Sequence, residues 1–325
     1  MSDALVSPPV ALVAGAVSLA LVGVAIHRVK REGDREITRG ARSGRLVPLM
    51  GVMGAFVFAA QMINFAIPGT GSSGHLVGGL LLAALLGPWA ALVVLTSVLV
   101  LQCLVFADGG FMALGTNIFN MAVLSCLVAY PLVFRPLVRS DARPGRIVAA
   151  SLLASVVALG LGAVAVTLET EASGITALPF GRFLLFMLPI HIVIGLCEGA
   201  ATAVVLCFVQ RYRPDLPDCA GQHRRGGLQR LLAVVAAAAL VLAASFSWIA
   251  SSDPDGLEWS IEQVTGNEEL DDDPTAFHRV AATVQQQTAL MPDYDTSLAG
   301  VVGCCVILLF AFGGSYLVRA VRKHD

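Results

Sequence analysis

The sequence predicts an all-α fold: a polytopic transmembrane helix bundle of about nine spans, with the N-terminus outside and the C-terminus inside. Three observations carry this expectation. Mean hydropathy is +0.78, with 56% hydrophobic and only 14% charged residues over 325 positions, whereas soluble domains carry roughly 25% charged residues. The apolar residues fall into runs of about 20, the length that crosses about 30 Å of hydrocarbon as a helix. The charged residues are confined to the stretches between these runs, so the formal net charge of -2 hides their placement. The predicted solvent is the lipid bilayer, and nothing in the charge balance points to a nucleic-acid partner.

The run 10 to 27 reads as a retained span, because Met1-Ser2-Asp3 lacks the positive charge of a secretory leader and the basic cluster follows the run. Further spans are expected at 47 to 66, 116 to 134, 147 to 168, 181 to 209, 231 to 249 and 297 to 318. The 31 residues from 76 to 106 fit either one tilted helix or a hairpin broken at Gly87-Pro88. Charge decides for the hairpin. Basic stretches lie at Arg28 to Arg45, Arg135 to Arg146, Arg211 to Arg230 and Arg319 to Lys323. Short Lys/Arg-rich loops favour the cytoplasm, and all four reach that side only if 76 to 106 crosses twice. The segment 251 to 296 then lies outside, with eleven acidic residues against the single Arg279. The chain divides into a seven-span body over 1-210, a basic cytoplasmic linker over 211-230 and a two-span module over 231-325. Of seven cysteines, six fall in apolar runs and Cys219 in an Arg-rich loop, so they read as small core residues and not as a disulfide framework.

Polar residues near membrane depth mark where chemistry sits. After the second span comes Pro68-Gly-Thr-Gly-Ser-Ser-Gly-His75, preceded by Gln61 and Asn64. Glycines let the backbone wrap a small ligand, and a neutral imidazole is a good donor to Ni(II), Co(II), Cu(II) or Zn(II). A surface turn with an incidental histidine fits the same spacing equally well. At the next outer turn, Asp108, Asn117 and Asn120 are costly unless paired or facing a cavity. Asn117 and Asn120 share a helix face and serve either as pocket lining or as helix–helix hydrogen bonds. In the seventh span His191 and Glu198 stand two turns apart on one face, about 10.5 Å at 1.5 Å per residue, too far for one ion. They are therefore read first as a structural or docking pair. The acidic segment opens on Asp253-Pro-Asp-Gly256, a strong turn signal. Only Lys30 and Lys323 are lysines and neither follows glycine, so a phosphate-binding Gly-Lys-Ser/Thr loop is absent. Gly-x-Ser-x-Gly and His-Glu-x-x-His are absent too.

Six motifs occur in order: Val47-Pro-Leu-Met-Gly51, Phe58-Ala-Ala-Gln-Met-Ile-Asn-Phe65, Ser73-Gly-His-Leu-Val-Gly-Gly79, Leu86-Gly-Pro-Trp-Ala90, Phe106-Ala-Asp-Gly-Gly110 and Gly115-Thr-Asn-Ile-Phe-Asn-Met121. On these the chain resembles the CbiM/NikM family, the substrate-capture components of energy-coupling-factor cobalt/nickel transporters, over roughly residues 3 to 210. Ser252 to Glu258 is similar to the PDGLE motif of the CbiN/NikN-type accessory subunit, which implies a fused module at the C-terminus. The resemblance implies Co(II) or Ni(II) as transported substrate, with no permanently bound cofactor. It also implies an integral-membrane coupling partner of CbiQ/NikQ type and two cytoplasmic ATPases of CbiO/NikO type. The metal ligands implied are the N-terminal amine, the backbone nitrogen and imidazole of a histidine at position two, and a loop histidine matching His75. Nitrogen-rich tetragonal coordination suits Ni(II) and low-spin Co(II).

Position two is Ser2 in this chain. The expectation is that a Met-His pair precedes Met1, in which case Met1 itself is not the terminal ligand. With Met1 and His75 as metal residues, the candidate lining is Gln61, Asn64, Asp108, Asn117, Asn120, His191 and Glu198. A transporter subunit without its own ATPase in the cell membrane is the leading reading. The alternative of a different class is a membrane-embedded metalloenzyme using His191, Glu198 and Asp108 around a catalytic ion and its activated water.

Overall fold

The computed structural model describes residues 1–38, 46–138, 143–212, 225–245, 250–267, 270, 276–292 and 298–309. Most of the basic linker, the tail Arg319 to Lys323, Cys219 and the acidic residues Glu268, Glu269, Asp271, Asp272, Asp273, Asp293 and Asp295 lie outside the described residues.

A short 3-10 turn, Asp3–Leu5, leads into α1, Pro8–Thr38, whose prolines suit the unbonded first turn of a helix. Leu12, Val13, Leu19 and Ile26 on α1 are exposed, as apolar side chains facing lipid would be. Helix α2, Leu46–Gln61, ends at a hairpin of β1, Phe65–Ile67, and β2, Ser72–Gly74. Helices α3, Gly79–Leu86, and α4, Pro88–Phe106, follow. The break between them falls at Gly87, whose φ of 81° is open to glycine, with Pro88 beginning the next helix. Its position agrees with the sequence, but α3 is short: eight residues rise about 12 Å, less than half the hydrocarbon core. The 19 residues of α4 rise about 28 Å.

Helix α5, Leu114–Leu137, is continuous through a π-helical stretch at Ile118–Phe134 that contains Pro131. Helices α6, Pro144–Ser173, and α7, Phe180–Tyr212, pack along each other through small residues. A Cβ on Gly199 would stand 2.6 Å from Leu152 Cα, and one on Gly195 would stand 2.9 Å from Val156 Cα. Gly195-xxx-Gly199 against Ser151-xxx-Ser155 is the small-residue seam by which helices approach in lipid, where apolar burial gives no drive between them. This seam fixes the face of α7 that carries His191 and Glu198.

The C-terminal module contributes α8, Arg225–Ser245, α9, Gly256–Thr265, α10, Ala276–Thr288, and α11, Leu298–Leu309. Helix α8 packs on α2, and Cys304 of α11 donates to the Ala55 carbonyl at 3.4 Å. Among the described residues, five helices are long and apolar enough to cross a membrane: Pro8–Gly33 of α1, α4, α5, α6 and Phe180–Arg211 of α7. Leu46–Gln61, Leu232–Ala244 and Leu298–Leu309 are shorter apolar helices. The all-α membrane bundle is what the hydropathy predicted.

Candidate metal-binding cavity

The hairpin pairs Phe65 with Gly74 and Ile67 with Ser72 in antiparallel register. Its turn needs glycine at Gly69 and Gly71, where φ is 80° and 71°. Thr70 fastens the turn, donating to the Ile67 carbonyl at 2.8 Å and accepting from the Ser72 amide at 3.1 Å. Pro68, Gly69 and Gly71 at the turn are exposed, but Ser72 and Ser73 behind it are fully buried. Beyond the hairpin the chain runs through half-buried His75 to Gly78, whose φ of 75° turns it into α3. The His75 Nδ1 is buried and has no hydrogen-bond partner.

Three buried polar side chains from three helices fix the backbone just after His75. Glu198 of α7 accepts from the Val77 amide at 2.8 Å and from the Gly78 amide at 3.2 Å. Gln61 of α2 donates to the Val77 carbonyl at 2.9 Å, and Gln102 of α4 donates to Gln61 Oε1 at 2.9 Å. At membrane depth an unpaired backbone group costs several kcal/mol, so this network supplies what a non-helical loop inside a bundle requires.

His75 opens onto a cavity of about 120 Å³ that is also lined by Met1, Asn117, Asn120, His191 and Asp255. The first residues reach it because the 107–117 turn grips them. The Met1 carbonyl accepts from the Gly110 amide at 3.0 Å and from Asn117 Nδ2 at 3.2 Å. Asp3 Oδ1 accepts from the Ala113 amide at 2.8 Å. His191 Nδ1 lies 2.8 Å from the Met187 carbonyl, which can only accept, so Nδ1 carries a proton.

The C-terminal module lines part of the cavity through Asp255, Gly256 and Leu257. The Ser73 amide and hydroxyl donate to the carbonyls of Pro254 and Asp253, each at 2.8 Å, and Trp259 Nε1 donates to the Thr70 carbonyl at 3.0 Å. Asp255 caps α9, accepting from the Leu257 and Glu258 amides at 2.8 and 2.9 Å, while Glu258 accepts from the Asp255 amide. Elsewhere in the module, Gln285 of α10 donates to the Gly109 carbonyl at 2.7 Å and His278 Nε2 stands 3.1 Å from the Asp3 carbonyl.

Of the residues singled out in the sequence, Met1, His75, Asn117, Asn120 and His191 come together around the cavity. Gln61 and Glu198 do not line it; they hold the loop behind His75. Asn64 meets the C-terminal module through its carbonyl, which accepts from the Ser251 amide at 2.8 Å. Asp108 lies on the exposed turn beside the cavity, where the surrounding protein desolvates its carboxyl and pushes its pKa up, with His75 pulling the other way. His191 and Glu198 share a helix yet serve different partners, so they form no pair. Sequence reasoning missed Gln102, Asp255 and Glu169. Only Asp255, in the Asp-Pro-Asp-Gly turn, carried a local signal. Among the described residues no three His, Cys, Asp or Glu side chains converge as an ion cage.

The site is thus a buried imidazole nitrogen without a partner, in a cavity inside a multi-pass helix bundle. The comparisons make the class specific. The family described as the cobalt uptake substrate-specific transmembrane region, CbiM, matches residues 1–216, and the PDGLE domain matches residues 229–320. The chain belongs to the CbiM family, with a PDGLE domain following, and is a multi-pass membrane component of metal uptake. It is 32% identical over 308 residues to a putative fused nickel transport protein NikMN of Archaeoglobus fulgidus, covering 91% of this chain and 90% of that protein. It is 38% identical over 201 residues to a putative metal transport protein of Haloquadratum walsbyi, covering 61% and 84%. A crystal structure of a transition metal transporter superposes with a TM-score of 0.54 at 28% identity, covering 65% of this chain and 92% of that one.

Proposed function

We propose that the chain is the substrate-binding membrane subunit of an ATP-driven cobalt/nickel uptake system, capturing the divalent ion from outside in the cavity beside His75. The orphaned His75 Nδ1 carries this reading, because an unpaired buried imidazole nitrogen is costly alone and is a good donor to Co(II) or Ni(II). Met1, Asn117, Asn120 and His191 share the cavity. Residues 1-210 are the capture domain, 211-230 a cytoplasmic linker and 231-325 an accessory module whose PDGLE turn covers the ion. A CbiQ/NikQ-type coupling subunit and two CbiO/NikO-type ATPases drive release. Relatives named as nickel transport proteins support the cargo. The metalloenzyme alternative draws no support, since Glu198 is spent on the Val77 and Gly78 amides and Asp108 is outside the cavity lining. Equilibrium binding of Ni(II) and Co(II) to the purified full chain tests the site: one ion per chain is expected, lost in His75→Ala. Equal binding by that variant rejects it.

A further inference from the structure

One buried group of the cavity has no task in this account. Asn120 of α5 is 7% exposed and lines the cavity, and its Oδ1 is buried without a hydrogen-bond partner. Its Nδ2 donates to Glu169 Oε2 of α6 at 2.7 Å. In the structure the amide nitrogen faces Glu169, as an ionised carboxylate, which only accepts, requires, and the oxygen is turned away from it. Glu169 is itself held in register, since its carbonyl accepts from Ser173 Oγ at 2.7 Å and that hydroxyl accepts from the Ser7 amide at 3.0 Å.

We propose that Asn120, aimed by Glu169, is a positioning residue of the metal cavity whose Oδ1 accepts a hydrogen bond from a water bound to the captured ion. The proposal rests on the reading of this cavity as the cobalt/nickel site. A water needs roughly 10–15 Å³ of such space, so about 120 Å³ holds an ion with water still attached. A divalent ion polarises its water into a stronger donor, and a buried amide oxygen is the matching acceptor. Fixing the acceptor on α5 by a carboxylate on α6 sets the direction of the bond before the ion arrives, as partners beyond the ligands do in other metal sites.

The test uses the purified full chain, Ni(II) alone for affinity and Co(II) alone for its visible absorption spectrum. Asn120→Leu keeps size and removes the acceptor, and about tenfold to a hundredfold weaker Ni(II) binding is expected from losing a bond of this kind. Glu169→Gln lets the neighbouring amide turn over and offer its NH₂ to the cavity, so weaker binding and a shifted Co(II) spectrum are expected. Asn120→Asp combined with Glu169→Gln, whose amide can donate to the new carboxylate, keeps an oxygen there and is expected to restore much of the affinity. A merely structural role for Asn120 leaves the Co(II) spectrum unmoved. If Asn120→Leu does not fold, the near-isosteric Glu169→Gln carries the test. Ni(II) affinity within twofold of wild type and an unchanged spectrum in the variants that fold, with His75→Ala still losing the ion, overturn this inference alone. Wild-type binding by His75→Ala overturns the cavity reading beneath it.

Discussion

Glu198→Gln probes how the loop carrying His75 is held. In the native chain each carboxylate oxygen takes one amide, Val77 at 2.8 Å and Gly78 at 3.2 Å, inside a residue that is 2% exposed. The amide of glutamine keeps one acceptor and sets its NH₂ against the other backbone N–H. One buried donor is then orphaned, at a cost of ~1–3 kcal/mol. That cost falls on the conformation in which His75 faces the cavity. If the competent loop becomes correspondingly less populated, apparent Ni(II) affinity drops roughly tenfold to a hundredfold, because apparent affinity scales with the competent fraction. Titration calorimetry in nanodiscs reads the affinity, and a thermal melt of the same sample reads the stability loss. Glu198→Ala orphans both donors and is expected to do worse on each. Wild-type affinity and melting temperature in Glu198→Gln would refute the argument that this carboxylate positions the loop.

Other perturbations follow from the same geometry. Gly78→Ala forces a side chain to φ 75° and places its Cβ 2.7 Å from Val57 Cγ1, so ~1–3 kcal/mol of stability is expected to be lost in a thermal melt, with Val57→Ala recovering only the steric part. Gln102→Leu leaves Gln61 Oε1 without its donor, and a double-mutant cycle with Gln61→Leu is expected to show positive coupling in stability; additive losses would deny the contact. Asp255→Ala removes the cap of α9 at ~1 kcal/mol and is expected to speed hydrogen exchange over 256–265, while Asp255→Ser retains protection. Asp108 has a raised pKa in the fold, so the folded chain binds more protons than the unfolded one between the two values. Its contribution to stability therefore falls as pH rises through that window, and Asp108→Asn is expected to gain relative to wild type over the same range in melts at stepped pH.

Hydropathy made the helix bundle legible, since a span is a local property of about 20 residues. The break at Gly87-Pro88 was legible as a Gly-Pro pair, which ends one helix and begins the next. The depth of the His75 loop was not, because it depends on α3 stopping at eight residues and on side chains from three helices paying for an irregular backbone. His191 and Glu198 looked alike from their spacing, and only the folded structure separated them: one lines the cavity, the other accepts from two amides of the His75 loop. Glu169 gave no signal, as one carboxylate at the end of an apolar helix reads as a solvated terminus until Asn120 is found against it. The PDGLE turn was visible as a turn, but its seat on Ser73 was a contact across 181 residues that no local pattern encodes.

The central claim is that His75 receives the transported ion. Uptake of radioactive Ni(II) and Co(II) by cells carrying this chain with its coupling subunit and ATPases measures that claim most directly. Uptake through His75→Ala is expected to fall to the level of cells lacking the chain, with the variant inserted in the membrane at wild-type abundance. Wild-type uptake by His75→Ala would contradict it.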